Sequence, residues 1–433
     1  MIIHIVKAGD TAANIAARHG VELANLLADN GLEAGGTLVV GQALAVQPPE
    51  IVHTVRGGET LNSIASEYGM SVKQLYRNNY PLRGLPDIQP GENLIIRYEN
   101  QGQNGTFVTN SYAYPYINDE LLRAQLPYLS YFTPFTYGIN AEGGTVNLND
   151  DRLIELSREY DVLPLMHLST LTEEGGFSND RASMIFSDAA KQQRLISEIF
   201  GIMQDKGYAG LDVDFEFIYP EEKYEYVSFL QSLRLTLNPY GYPLFSALAP
   251  KTSDTQRGVL YEGHDYSGIG AAVNGVLLMT YEWGYTYGPP MAVAPINNVR
   301  RVAEYALTRI PAEKMFLGIP TYGYDWTLPY ERGNPGAPSI SPVEAVDLAR
   351  RYGAEIQYDE TAQSPWFRYA DENGALHEVW FEDVRSIEKK LALAAELGFR
   401  GIGYWNSMRD FPQNWVVLNN QYIIEDNPLF LNE

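Results

Sequence analysis

Between Gly210 and Phe217 the chain reads Gly-Leu-Asp-Val-Asp-Phe-Glu-Phe, with acidic and apolar residues in strict alternation. Side chains alternate across a strand, so Asp212, Asp214 and Glu216 share one face and Leu211, Val213, Phe215 and Phe217 the other. The apolar face suits a cover of helices. Three carboxylates in a row inside a protein carry a large desolvation and repulsion cost, so stability alone does not explain them. The plainer reading is a solvated strand face, but the neighbouring apolar runs read as buried.

Those runs are Phe107–Tyr112, Leu129–Tyr137, Val162–Leu168, Leu244–Ala249, Gly275–Tyr281, Met315–Pro320 and Gly401–Trp405. With Gly210–Phe217 they make eight predicted strands. Helical patterns fall between them at Asp188–Lys206, Glu221–Leu237, Ile296–Leu307 and Asp383–Leu397. Eight strands alternating with helices over about 325 residues predict an α/β fold, a (β/α)8 TIM barrel spanning 105–430. Residues 322–382 are too many for a simple loop. Ser341 as cap, Pro342 at the first helical position and Gly353 past the end mark a helix there. Strand-like runs at Ala354–Tyr358 and His377–Phe381 complete a small α+β insertion after strand seven.

Barrel enzymes keep their chemistry at the C-terminal ends of the strands. Glu216 lies at that end. Asp212 and Asp214, close together, are expected to share a proton. Glu216, nearest the cleft, is then free to keep a raised pKa and act as a general acid. That is the chemistry of glycosidic bond cleavage.

The first hundred residues hold a repeat. His4-Ile5-Val6-Lys7-Ala8-Gly9-Asp10-Thr11 matches His53-Thr54-Val55-Arg56-Gly57-Gly58-Glu59-Thr60 at an offset of 49, and Ile15, Gly20, Leu26 and Asn30 match Ile64, Gly69, Leu75 and Asn79. Each copy reads strand, Thr-capped helix, glycine stop, second helix, closing strand: β-α-α-β. Gln47-Pro48-Pro49-Glu50 reads as a short stiff linker. These residues resemble the LysM module, which implies binding of N-acetylglucosamine-containing glycans such as peptidoglycan and chitin. The modules are placed at 1–48 and 51–98. A duplicated spacer without a ligand is the alternative.

The barrel segment resembles glycoside hydrolase family 18, whose D-x-D-x-E signature matches Asp212, Asp214 and Glu216. Met279-Thr280-Tyr281-Glu282, Leu317 to Gly323 and Gly401-Ile402-Gly403-Tyr404-Trp405 resemble the family's strands six, seven and eight. The resemblance implies substrate-assisted catalysis. Glu216 is general acid and then base, Asp214 orients the substrate's acetamido group, and Asp212 tunes Asp214. It also implies that Tyr281 hydrogen-bonds the acetamido oxygen and that Trp405 is the floor under the −1 sugar. Residue type alone also allows core packing for Tyr281 and Trp405. Glu282, on the motif's acid position, and Tyr112 and Tyr322, at predicted strand ends, are further candidates for substrate contact. Three departures stand out: Ala209 before the signature, Glu282 where the family has Asp, and Met166-His167-Leu168-Ser169-Thr170 ending strand three.

Composition narrows the partners. Lys plus Arg is 31 and Asp plus Glu 54, a net charge of 31 − 54 = −23, which repels nucleic acid. There is no cysteine, and the six histidines are scattered, so no metal site and no cofactor is expected. No run reads as a signal peptide or a membrane span. A monomer is expected. Tandem LysM modules ahead of a family 18 barrel resemble the spore cortex-lytic N-acetylglucosaminidases of endospore formers. That resemblance implies synthesis in the mother cell, residence at the spore coat or cortex, and cleavage of N-acetylglucosaminyl-β-1,4 bonds. The alternatives are a chitinase or chitooligosaccharide hydrolase, a non-catalytic glycan-binding coat protein, and a metal-dependent hydrolase using the same acids. Deleting 1–97 is expected to weaken binding to insoluble peptidoglycan and to leave turnover of short soluble fragments nearly intact.

Overall fold

The computed structural model describes residues 1–428 and 430. All eight predicted runs become strands of a closed parallel barrel: Thr106–Ala113, Tyr131–Pro134, Leu163–Ser169, Gly210–Asp214, Leu244–Leu248, Gly275–Leu278, Met315–Pro320 and Gly401–Trp405. The eighth closes on the first with Gly401 beside Val108. The four expected helices run Ala189–Lys206, Lys223–Leu237, Ile296–Leu307 and Val384–Glu396. Asp188 accepts from the amides of Ala190 and Lys191, and Gly207 ends that helix at φ 69°. Phe430 plugs the N-terminal mouth, its ring 5.1 Å from that of Phe245 and 5.8 Å from that of Phe316.

Some boundaries differ from expectation. The fourth strand stops at Asp214, so Phe215–Phe217 lie beyond its ladder. The second and sixth strands are also shorter than their apolar runs. After strand seven comes a five-stranded antiparallel sheet in the order 339–340, 323–328, 376–380, 364–370, 357–359, with the helix Pro342–Tyr352 capped by Ser341. Its strands Gly323–Leu328 and Ser364–Ala370 were not expected.

In the repeats, Ile2–Ile5 pairs with Ala43–Val46 and Pro49–Thr54 with Asn93–Tyr98, both antiparallel. The predicted linker is therefore half strand. Thr11 and Thr60 cap the first helices as expected. The repeated asparagines explain themselves. Asn30 Nδ2 donates to the carbonyls of Leu26 and Ala45, both at 2.8 Å, and Asn30 Oδ1 accepts from Ala45 N at 2.7 Å. Asn79 makes the same three bonds to Leu75, Ile95 and Ile95. Each buried amide thus ties the second helix to the closing strand with its polar groups satisfied.

The repeats are packed onto the barrel. Lys73 and Arg77, both buried, project from the second repeat. Lys73 Nζ donates to the carbonyl of Leu129 at 3.0 Å and meets Asp426 at 2.8 Å. Arg77 Nε donates to the carbonyl of Pro127 at 2.6 Å, and its terminal nitrogens grip Asp426. In the first repeat, Asn30 Oδ1 and the carbonyl of Ala43 accept from Gln413.

Candidate active site

The fourth strand is anchored through its apolar face. Leu211, Val213 and Phe215 are fully buried, and Phe215 stacks on Tyr226 and Phe229 at 5.6 and 5.7 Å. This packing turns Asp212 and Asp214 into the barrel. Asp212 sits in register with His167 and Asp214 with Ser169. Asp214, Glu216, Tyr281, Glu282 and Trp405 line one cavity of about 230 Å³, walled also by Tyr261, Met279 and Trp283. Asp212 lies a layer deeper, where Tyr112 Oη donates to its Oδ2 at 2.6 Å. Tyr112 is thus committed to Asp212, with its ring 5.6 Å from that of Trp405. Glu282 takes a left-handed backbone (φ 66°) and accepts hydrogen bonds from Tyr322 and Tyr324. Tyr322 belongs to a second chamber of about 370 Å³, which shares Glu282 and Trp405 with the first.

The electrostatics of the acids follow from burial. Asp212 is pushed up to about 6 by burial, against the pull of the Tyr112 hydroxyl. Asp214 is driven well above the carboxylate range by burial and by the charges of Glu216 and Asp212. Glu216 is raised by burial and by the charge of Glu282. Oδ1 of Asp212 and Oδ1 of Asp214 are buried without a hydrogen-bond partner among the described residues. Such a pair is a place for a shared proton.

Two histidines that sequence reasoning passed over support these acids. His167 Nδ1 lies 2.6 Å from Thr136 Oγ1, and its Nε2 lies 3.8 Å from Asp214 and 4.0 Å from Asp212. Burial lowers it to about 3, so it is neutral. His264 Nε2 meets the carbonyl of Phe215 at 3.0 Å, while its Nδ1 accepts from the amide of Ala249. Burial lowers it to about 4. The one sequence signal was the departure at Met166-His167; His264 had none.

A D-x-D-x-E run that begins on the fourth strand and ends two residues past it, a tyrosine and a glutamate after strand six, and a tryptophan ending strand eight define a glycosidase of the family 18 type. The description of glycosyl hydrolases family 18 matches residues 166–410, and that of the LysM domain matches 4–47 and 53–97. The chain belongs to glycosyl hydrolases family 18 and carries two LysM domains. It is 39% identical over 438 residues to the cortical fragment-lytic enzyme of Bacillus anthracis, covering 97% of this chain and 98% of that one. The crystal structure of the Bacillus cereus spore cortex-lytic enzyme SleL superposes with a TM-score of 0.83 at 36% identity, covering 98% of both chains. That of Bacillus megaterium SleL also gives 0.83 at 36%, covering 98% of this chain and 99% of that one.

Proposed function

We propose that the protein hydrolyses N-acetylglucosaminyl-β-1,4 bonds in spore cortex peptidoglycan, with the substrate's own acetamido group as nucleophile. The observation that carries this reading is the joint placement of Asp214, Glu216, Tyr281 and Trp405 around one cavity. The −1 sugar rests on Trp405. Tyr281 donates to the acetamido oxygen, and Asp214 accepts from the acetamido N–H. As that oxygen attacks the anomeric carbon, Glu216 gives its proton to the leaving oxygen. An oxazolinium ion forms, and Asp214 stabilises its positive charge, with Asp212 holding the shared proton meanwhile. Water then attacks the anomeric carbon, Glu216 takes the proton, and the acetamido group is restored with net retention.

The names of the relatives supply the cortex as substrate and the spore as location. Residues 1–48 and 51–98 act as glycan-binding modules that hold the 105–430 barrel at the polymer, and the enzyme works as a monomer.

The test is mass spectrometry of the products from cortex peptidoglycan and from chitin oligosaccharides, with wild type and Glu216→Gln. Products with reducing N-acetylglucosamine ends, reduced about 10²- to 10⁴-fold in rate by the variant, support the reading. Cleavage of chitin oligomers alone moves the enzyme to the chitooligosaccharide hydrolases. Full activity of Glu216→Gln overturns the mechanism.

A further inference from the structure

Between the two repeats lies a cleft of about 190 Å³, built by both. Its polar lining is Glu22, Asn25, Asp29, Gln47 and Asn93, and neither lysine nor arginine lines it among the described residues. Asp29 and Gln47 are more than nine-tenths buried. Gln47 Nε2 donates to Asp29 Oδ2 at 3.1 Å, but Gln47 Oε1 is buried with no partner among the described residues. Val52 and Ile95 give the cleft an apolar wall.

The repeat itself shows that folding does not require this arrangement. At the offset of 49, Asp29 corresponds to Asn78. Asn78 is fully engaged: its Nδ2 donates to the carbonyl of Ile96, and its Oδ1 accepts from Gln74, Gln101 and Asn419. The second module therefore builds the same β-α-α-β unit with a neutral, satisfied side chain. The first has a buried carboxyl and an unsatisfied side-chain carbonyl instead, and both belong to residues that line the cleft. Unmet buried acceptors are costly and call for a donor.

We propose that this cleft is a ligand site distinct from the barrel's, and that it takes a primary ammonium group carried on a sugar or short aliphatic stem. An ammonium offers three donors and no acceptor, which suits a cleft lined by the carboxyls of Asp29 and Glu22, the latter already accepting from Asn93 Nδ2 at 2.6 Å, and by the amide of Gln47. The apolar wall receives the ring face or methylenes behind the nitrogen. Burial holds Asp29 up to about 7 in the empty cleft, so an arriving cation would meet a carboxyl ready to ionise. Two sources share this chemistry: a hexosamine that has lost its acetyl group, and the side-chain amine of a diamino acid in a peptide stem.

The experiment is calorimetry on the full chain carrying Glu216→Gln, so that no probe is turned over. The probes are glucosamine trimer, N-acetylglucosamine trimer and a tetrapeptide containing diaminopimelate. At least one amine probe is expected to bind, and Asp29→Asn is expected to weaken it tenfold or more while leaving the N-acetylated trimer unaffected. Glu22→Gln, at the exposed mouth, is expected to weaken it less; it decides the question should Asp29→Asn fail to fold. Binding of glucosamine alone identifies the sugar source, and binding of the peptide alone identifies the stem. Amine probes that do not bind, or whose binding ignores both substitutions, overturn the proposal. The outcome is independent of whether the barrel cleaves cortex.

Discussion

His264 Nε2 holds the carbonyl of Phe215 at 3.0 Å, one residue before Glu216. Because Nδ1 accepts from the amide of Ala249, the proton must sit on Nε2, and the ring donates. The fourth strand's ladder has already ended at Asp214. This bond therefore ties the backbone that carries Glu216 to the end of the fifth strand.

Removing that tie should loosen the acid. His264→Ala is expected to lower kcat by about 10- to 100-fold through misplacement of Glu216. Steady-state kinetics on soluble cortex fragments check this; an unchanged kcat would show that Glu216 is held by other means.

The same ring makes stability depend on pH. Its folded value, about 4, lies below the unfolded value of about 6.5, so its contribution is complete above 6.5 and is lost as pH falls towards 4. The slope is at most about 1.4 kcal/mol per pH unit. Denaturant unfolding at pH 7 and 5 should show a smaller difference for His264→Gln than for wild type.

Asp212 has the opposite sign. Its value is raised to about 6, so its contribution is present below the unfolded value near 4 and lost as pH rises through 6. Asp212→Asn keeps an acceptor for Tyr112 and removes the buried charge. It should melt higher than wild type at pH 8, by up to about 3 kcal/mol of stability, with the gap closing towards pH 4. Activity should fall. A gap that does not vary with pH would mean that Asp212 is not the titrating group.

Glu282 should set the alkaline limb. Its charge helps to keep Glu216 protonated. Glu282→Gln removes that charge and retains acceptors for Tyr322 and Tyr324, so the loss of kcat/KM on raising pH should begin at lower pH. A limb that stays in place would assign it to burial alone.

Arg77 tests the docking of the repeats. The side chain is buried and bridges the carbonyl of Pro127 and Asp426. Arg77→Ala should destabilise the whole chain by about 3 kcal/mol. This packing also alters the expectation for a protein lacking 1–97. It would strip the carbonyls of Pro127 and Leu129 and the side chain of Gln413 of their partners, so turnover of soluble fragments should fall along with polymer binding.

The sequence was most legible where one pattern had one physical meaning. Buried parallel strands read as apolar runs, and caps such as Thr11, Thr60 and Ser341 marked the helices. The alternation at 211–217 placed Asp212 and Asp214, and motif order brought Tyr281, Glu282 and Trp405 to the same cavity. Ser364–Ala370 was hidden because Pro365 argues against a strand. Strand lengths were overread because apolar residues continue past the last ladder bond, as at Phe215. His264 was invisible: it lies 49 residues from its partner carbonyl, and a lone histidine carries no local signal.

The grip of Lys73 and Arg77 on the barrel has a consequence for how an enzyme of this shape meets a solid. A catalytic unit on a flexible leash can search every orientation within reach, and its advantage is one of local concentration. Here the leash has no slack. Whatever surface the repeats settle on, the cleft arrives at a single angle and a single stand-off. Were the repeats to anchor the enzyme on polymer as proposed, the architecture would select for strands that lie in one direction relative to that surface, and polymer layered differently, though chemically identical, would be a poorer substrate.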